Sequence, residues 1–195
     1  MMIVAHRRNT REQLVQTPRQ YGVEIDLRSR GEDIILQHDP FKDGERLEEW
    51  LTAYGHRLVI LNTKEEGLEE RLLALMARAG IEEFFFLDQS FPFLVRTAMS
   101  GEARCAIRIS EYEPVEAALR LAGKVRWAWI DCFTRFPLSG KEARLLRDAG
   151  FRLCLVSPEL QGRASAEEIT RMRSLLAAES IDVDAVCTKA PERWL

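Results

Sequence analysis

Eight short apolar runs recur along this chain: Ile3–Ala5, Val23–Leu27, Leu58–Leu61, Phe84–Leu87, Cys105–Ile109, Trp127–Ile130, Leu153–Val156 and Ala185–Cys187. Several are rich in Val, Ile or aromatic residues, which suit a pleated, buried surface. Between them the apolar residues take helical spacing. Leu68, Leu72, Leu75, Met76 and Ala79 form one stripe between Gly67 and Gly80, and Val115, Leu119 and Ala122 form another behind Pro114. Ala143, Leu146 and Ala149 stop at Gly150. Ile169, Met172, Leu175 and Leu176 follow Ser165, with Glu168 placed to complete a capping box.

Strands alternating with one-sided helices build a parallel sheet. Eight of them fit a compact, closed (β/α)8 TIM barrel better than a doubly wound sheet, which usually stops at about five or six. The expectation is a single α/β domain over residues 1–195, shorter than the roughly 250 residues of a typical barrel. Only Thr188-Lys-Ala-Pro-Glu-Arg-Trp-Leu195 follows the eighth run, so the last helix is expected to be short or missing. That bare end leaves room for a homo-oligomer. Arg28–Glu49 reads as a small insertion holding a short strand at Ile34–Leu36.

Charge excludes one class of partner. With 28 Lys and Arg against 31 Asp and Glu, the formal charge is −3, so no basic footprint for nucleic acid exists. No apolar run approaches the roughly 20 residues of a membrane span, and the opening MMIVAHRRNT is too quickly charged for a signal peptide. The expected location is cytoplasmic. Cys105, Cys132, Cys154 and Cys187 lie in or beside apolar runs without metal-site spacing, the pattern of small buried thiols.

Strands buried on both faces should be apolar, so charges within them need a reason. Glu24 and Asp26 share one face of the second run, while Val23, Ile25 and Leu27 face the other way. Two adjacent carboxylates repel unless a cation sits between them. A hard divalent ion, Mg or Ca, would serve; so would a buried Arg7, Arg8 or Arg108, and spacing alone leaves both readings open. His6 ends the first run and His38 follows the short inserted strand, placing both at the mouth where barrel active sites lie. His56 precedes its strand and belongs to the opposite rim. Asn62, Lys64, Asp88, Gln89, Arg108, Asp131, Ser157, Glu159, Thr188 and Lys189 also reach the mouth, many as loop caps. Arg7, Lys64 and Arg108 are the candidates to hold an anion, since arginine offers a planar fork and lysine a point charge.

Taken in order, Ala5-His-Arg7, Val23-Glu-Ile-Asp26 and His38-Asp39 resemble the glycerophosphodiester phosphodiesterase family, within the phospholipase-C-like phosphodiesterase superfamily, as a divergent bacterial branch. Members typically open with His-Arg-Gly and an acidic Glu-Asn-Thr segment. They continue with a Glu-x-Asp metal pair, a His-Asp and a Glu-x-Lys, and close on Thr-Asp-x-Pro. The resemblance follows the first third of the chain closely and the remainder loosely. It implies His6 and His38 as the general acid–base pair and Glu24, Asp26 and Asn62 as metal ligands. It also implies Arg7 and Lys64 as phosphate-holding groups, with a divalent metal as cofactor. The implied reaction is hydrolysis of a phosphodiester in which a neighbouring hydroxyl can attack first.

This chain departs from the pattern in three places. Asn62 stands for a carboxylate ligand, His6-Arg-Arg-Asn-Thr10 lacks the glycine and the acidic residue, and Lys189 stands where Asp is common. Val156-Ser-Pro-Glu-Leu-Gln-Gly-Arg163 looks like part of a bacterial branch found in surface-polysaccharide gene settings, which favours a sugar-phosphate-containing ligand. Two alternatives stand beside the metal-dependent hydrolase: a non-catalytic phospho-ligand binding barrel, and a sugar-phosphate lyase or isomerase. In each case the partner is a small phosphorylated molecule.

Overall fold

The computed structural model describes residues 1–163 and 165–195. In chain order the elements are β1 (Met2–Ala5), α1 (Arg11–Gln16), β2 (Gly22–Arg30), β3 (Asp33–Leu36), β4 (Glu45–Arg46), α2 (Leu47–Leu51), β5 (Val59–Thr63) and α3 (Glu69–Arg78). They continue as β6 (Phe84–Leu87), α4 (Phe91–Met99), β7 (Ala106–Ile109), α5 (Val115–Leu119) and β8 (Trp127–Ile130), then α6 (Gly140–Asp148), β9 (Arg152–Val156), α7 (Ala166–Ala178) and β10 (Ala185–Thr188). Each of the eight apolar runs contributes a strand, and the insertion adds β3 and β4. After β10 the chain makes only a 3₁₀ turn, Pro191–Arg193. Side-chain caps start several helices: Thr10 and Gln13 form a capping box on α1, Ser139 and Glu142 form one on α6, and Ser165 accepts from the Glu168 N–H on α7.

The strands of the eight runs pair in parallel, β10 to β1 and β9, β9 to β8, β8 to β7, and β5 to β2 and β6. The hairpin strands β3 and β4 run antiparallel. The closed barrel expected from the strand count is not formed. The sheet is curled but open, a half-barrel sweeping 198° with its edges 24 Å apart. Two weak ladders explain the difference. Between β1 and β2 only Val4–Gly22 and Ala5–Val23 are in register, because β2 begins at Gly22 and β1 ends at Ala5. Between β6 and β7 the pairing shrinks to an isolated bridge, Phe86 with Cys105. Closure needs continuous ladders around the circuit, and these two joints do not supply them.

Alternation along the strands makes two apolar layers. Val23, Ile25, Leu27, Val59, Leu61, Phe84 and Phe86 face the helices and join Leu72, Met76, Leu146, Ile169 and Met172 in the larger core. On the concave side Val4, Ile60, Phe85, Leu87, Trp127, Trp129, Cys154 and Cys187 form a second cluster. Trp127 stacks on Phe85 with ring centroids 4.6 Å apart, so the two tryptophans of β8 are packing residues. All four cysteines are buried and free. Among the described residues no helix is long and apolar enough to cross a membrane. The inner cluster floors the concavity, and polar residues of β2, β5 and β7, with Asp88 just after β6, stand toward the strands' carboxyl ends.

Candidate functional site

Glu24 and Asp26 lie on the concave face of β2, almost wholly excluded from solvent at 1% and 0% exposure. Register sets Glu24 beside Ile60 and Asp26 beside Asn62. Asn62 Nδ2 donates to Glu24 Oε1 at 2.8 Å, and the Arg7 N–H donates to Glu24 Oε2 at 2.8 Å. Arg7 reaches that position through the left-handed backbone region, φ 51°, a strained conformation for a residue with a Cβ. The next N–H, of Arg8, donates to the Glu24 carbonyl at 2.8 Å. Desolvation and the neighbouring Asp26 push the Glu24 carboxyl up to about 7.

Asp26 is held by a pincer that the sequence reading did not single out. Asn9 Nδ2 donates to Asp26 Oδ2 at 2.9 Å, while the Asp26 N–H donates back to Asn9 Oδ1 at 2.9 Å. Two cations balance the carboxylate: Arg7 Nε lies 3.4 Å from Oδ2 and Lys64 Nζ lies 3.4 Å from Oδ1. Lys64 then reaches Asp88 at 3.1 Å. Arg108 joins Asp88 to Asp131, with Asp131 Oδ2 at 3.2 Å. Gln161 Nε2 donates to the other Asp131 oxygen at 2.5 Å. Charges of alternating sign therefore cross the mouth from β2 to β8. Two cavities flank Asp88. One, of about 310 Å³, is lined by Lys64, Glu69, Gln89 and Ser90; the other, of about 420 Å³, by Phe91, Arg108, Tyr112 and Pro114.

The two histidines expected at the mouth are not brought together as a pair. His6 Nε2 stands 3.8 Å from Glu24 Oε2, and its buried Nδ1 has no hydrogen-bond partner among the described residues. Burial and the positive charges of Arg7, Lys189, Lys64 and Arg8 drive its pKa down to about 3, so the imidazole is neutral. His38 instead turns its Nδ1 to Asp39 Oδ1 at 2.8 Å, in a half-exposed cluster with Lys42. Its carbonyl accepts from Arg28, which also donates to the Lys64 carbonyl at 3.2 Å, tying the two loops by their backbones. His56, at the other rim, meets the Thr17 carbonyl at 3.0 Å.

The expectation of a metal-binding protein is overturned among the described residues, where no group of three or more His, Cys, Asp or Glu is placed to hold an ion. The donor set explains why. Asn62 turns an N–H, not its carbonyl oxygen, toward Glu24, and Asp26 already has a guanidinium and an ammonium beside it. The charge of Glu24 and Asp26 is thus balanced by groups of the chain, while Asn62 Oδ1 and Asp26 Oδ1 stay buried without a hydrogen-bond partner among the described residues.

No family model matches the chain, and no curated protein matches it by sequence. Solved structures do match in shape. A glycerophosphodiester phosphodiesterase from Agrobacterium tumefaciens str. C58 is similar over 99% of this chain and 97% of its own, at 15% identity and a TM-score of 0.68. A glycerophosphoryl diester phosphodiesterase from Parabacteroides distasonis ATCC 8503 is similar over 98% and 84%, at 15% identity and a TM-score of 0.65. A mutant tryptophan synthase alpha-subunit from Pyrococcus furiosus is also similar, over 96% and 86%, at 13% identity and a TM-score of 0.57. At these identities the likeness is one of fold, and proteins of different names share it.

Proposed function

We propose that the mouth binds a small phosphodiester, glycerophosphodiester-like or carrying a sugar phosphate, and cleaves one of its P–O bonds. Arg7, Lys64 and Arg108 receive the phosphoryl oxygens, and His6 moves the proton. The observation that carries this reading is the placement of His6 beside Glu24, ringed by Arg7 and Lys64, at the carboxyl ends of the strands. The fold shared with two phosphodiesterases supports it.

The chemistry follows from the charges. An empty mouth keeps His6 neutral but weakly basic, because the surrounding cations oppose a further positive charge. A phosphodiester anion among Arg7, Lys64 and Lys189 cancels much of that opposition, and the imidazole becomes a useful base only when substrate is present. His6 then takes the proton of the attacking hydroxyl as the new O–P bond forms, with Glu24 beside it to stabilise the imidazolium. The leaving oxygen is protonated from solvent at the open mouth. Positive charge on the phosphoryl oxygens comes from the chain itself.

A second reading is binding without turnover, favoured by the engagement of His38 with Asp39, which leaves His6 without an imidazole partner. ³¹P NMR of a glycerophosphodiester incubated with the protein separates the two. Cleavage gives a monoester or cyclic phosphate signal that His6→Ala abolishes. Saturable line broadening with no new signal supports the binding reading. Turnover undiminished in His6→Ala overturns the assignment of His6.

A further inference from the structure

Outside the mouth, Arg8 is a half-buried guanidinium without a counter-ion. It forms no ion pair among the described residues, and its Nε is buried with no hydrogen-bond partner. Desolvation lowers its pKa, as expected of a cation set apart from both water and carboxylates. The Arg8 backbone is pinned at both ends: its N–H donates to the Glu24 carbonyl at 2.8 Å, and its carbonyl accepts from Trp50 Nε1 at 2.9 Å.

Arg8 lines a cavity of about 210 Å³ between α1 and the turn at Pro191, together with Gln13, Gln16, Thr17 and Tyr21. No Asp or Glu lines it. Gln13 spends its Oε1 on the Thr10 N–H of the capping box, so its Nε2 remains as a donor. The Tyr21 hydroxyl likewise has no hydrogen-bond partner among the described residues. A guanidinium fork, a primary amide and a phenol thus surround a space free of negative charge. Of these groups Arg8 Nε is the one buried without a partner, while Gln13 is exposed and Tyr21 half-buried. Leaving a buried donor unmatched is costly, and an oxyanion with several oxygens satisfies it while reaching the other two.

We propose that the Arg8 cavity is a second anion site, taking a single phosphate group, inorganic or at the end of a small monoester. Its volume admits that group with a few carbons and little more. Its lining shares no residue with the Arg7–Lys64 contacts, although the Arg8 charge also bears on His6, and the proposal does not depend on the function assigned to the mouth.

Titration of ¹⁵N-labelled full-length protein with inorganic phosphate, at constant ionic strength set with chloride, tests the site. The amides of Ala5, Gln13 and Thr17 are expected to shift and saturate. Arg8→Gln is expected to weaken that response roughly tenfold or more. Gln13→Glu serves as a second variant: it keeps the capping box and sets a carboxylate against Arg8, so it removes the phosphate response in a folded protein. Lys64→Gln, which disables the mouth, leaves the response unchanged. A non-saturating response, one that survives Arg8→Gln or Gln13→Glu, or one that disappears with Lys64→Gln overturns the proposal.

Discussion

Replacing Glu24 by Gln isolates the electrostatic cost of folding a carboxylate into the concave face. Its pKa rises from the ordinary glutamate range to about 7 on folding. The folded state therefore holds the proton more tightly than the unfolded chain. The stabilisation is complete below the unfolded glutamate pKa and is lost as pH rises through about 7. Between about pH 5 and pH 8 that linkage amounts to about 2–3 kcal/mol. His6 has the opposite sign. Its folded pKa is depressed, so stability is lost as pH falls from the ordinary histidine range toward about 3. The wild-type curve thus mixes two opposing slopes, and its difference from Glu24→Gln removes the part of the His6 slope that the two proteins share. Glu24→Gln also leaves one acceptor oxygen for two donors, the Arg7 N–H and Asn62 Nδ2, at a pH-independent cost of about 1–3 kcal/mol. Urea denaturation at both pH values should show the variant gaining about 2–3 kcal/mol on wild type between pH 5 and pH 8. By thermal melting the gap moves by roughly 5–10 °C. A stability difference that does not change with pH would refute the reasoning.

Further outcomes follow from the same contacts. Arg108→Ala leaves Asp131, 2% exposed, without its cation and should cost about 2–4 kcal/mol in urea denaturation, the upper end being tempered by the part exposure of the guanidinium. Trp127→Ala removes the ring stacked on Phe85 and should cost about 3–5 kcal/mol by the same measurement. Adding a non-hydrolysable phosphodiester should raise the His6 pKa from about 3, read from its imidazole resonances in an NMR pH titration; no change would separate His6 from the anion. Burial pushes Cys105 and Cys132 up to about 12 and raises Cys154 and Cys187 as well, so a thiol reagent at neutral pH should label none quickly in the native protein.

The strands were legible because both faces of a parallel sheet are apolar, which makes runs such as Trp127–Ile130 stand out. Closure was not legible. Phe84–Leu87 and Cys105–Ile109 read as two good strands, and nothing in their composition says that they meet through one bridge. Helix α4 was hidden because only Asp88, Gln89 and Ser90 separate β6 from Phe91, and the apolar Phe91–Val95 that follows reads as readily as strand. Parity along β2 placed Glu24 and Asp26 together on one face but could not choose their partner. That choice depends on Arg7 turning through a left-handed backbone and on Lys64 arriving from β5. The direction of the His38 ring was equally out of reach, being fixed by the adjacent Asp39.

The central claim is that a phosphodiester is handled at this mouth by Arg7, Lys64 and His6, with the chain supplying the positive charge. Turnover of a glycerophosphodiester by protein treated with excess chelator, with and without restored Mg or Ca, tests it most directly. Cleavage that persists in chelator and is lost in Lys64→Gln is the outcome expected. Cleavage that appears only when the divalent ion is returned, and tolerates Lys64→Gln, would contradict it.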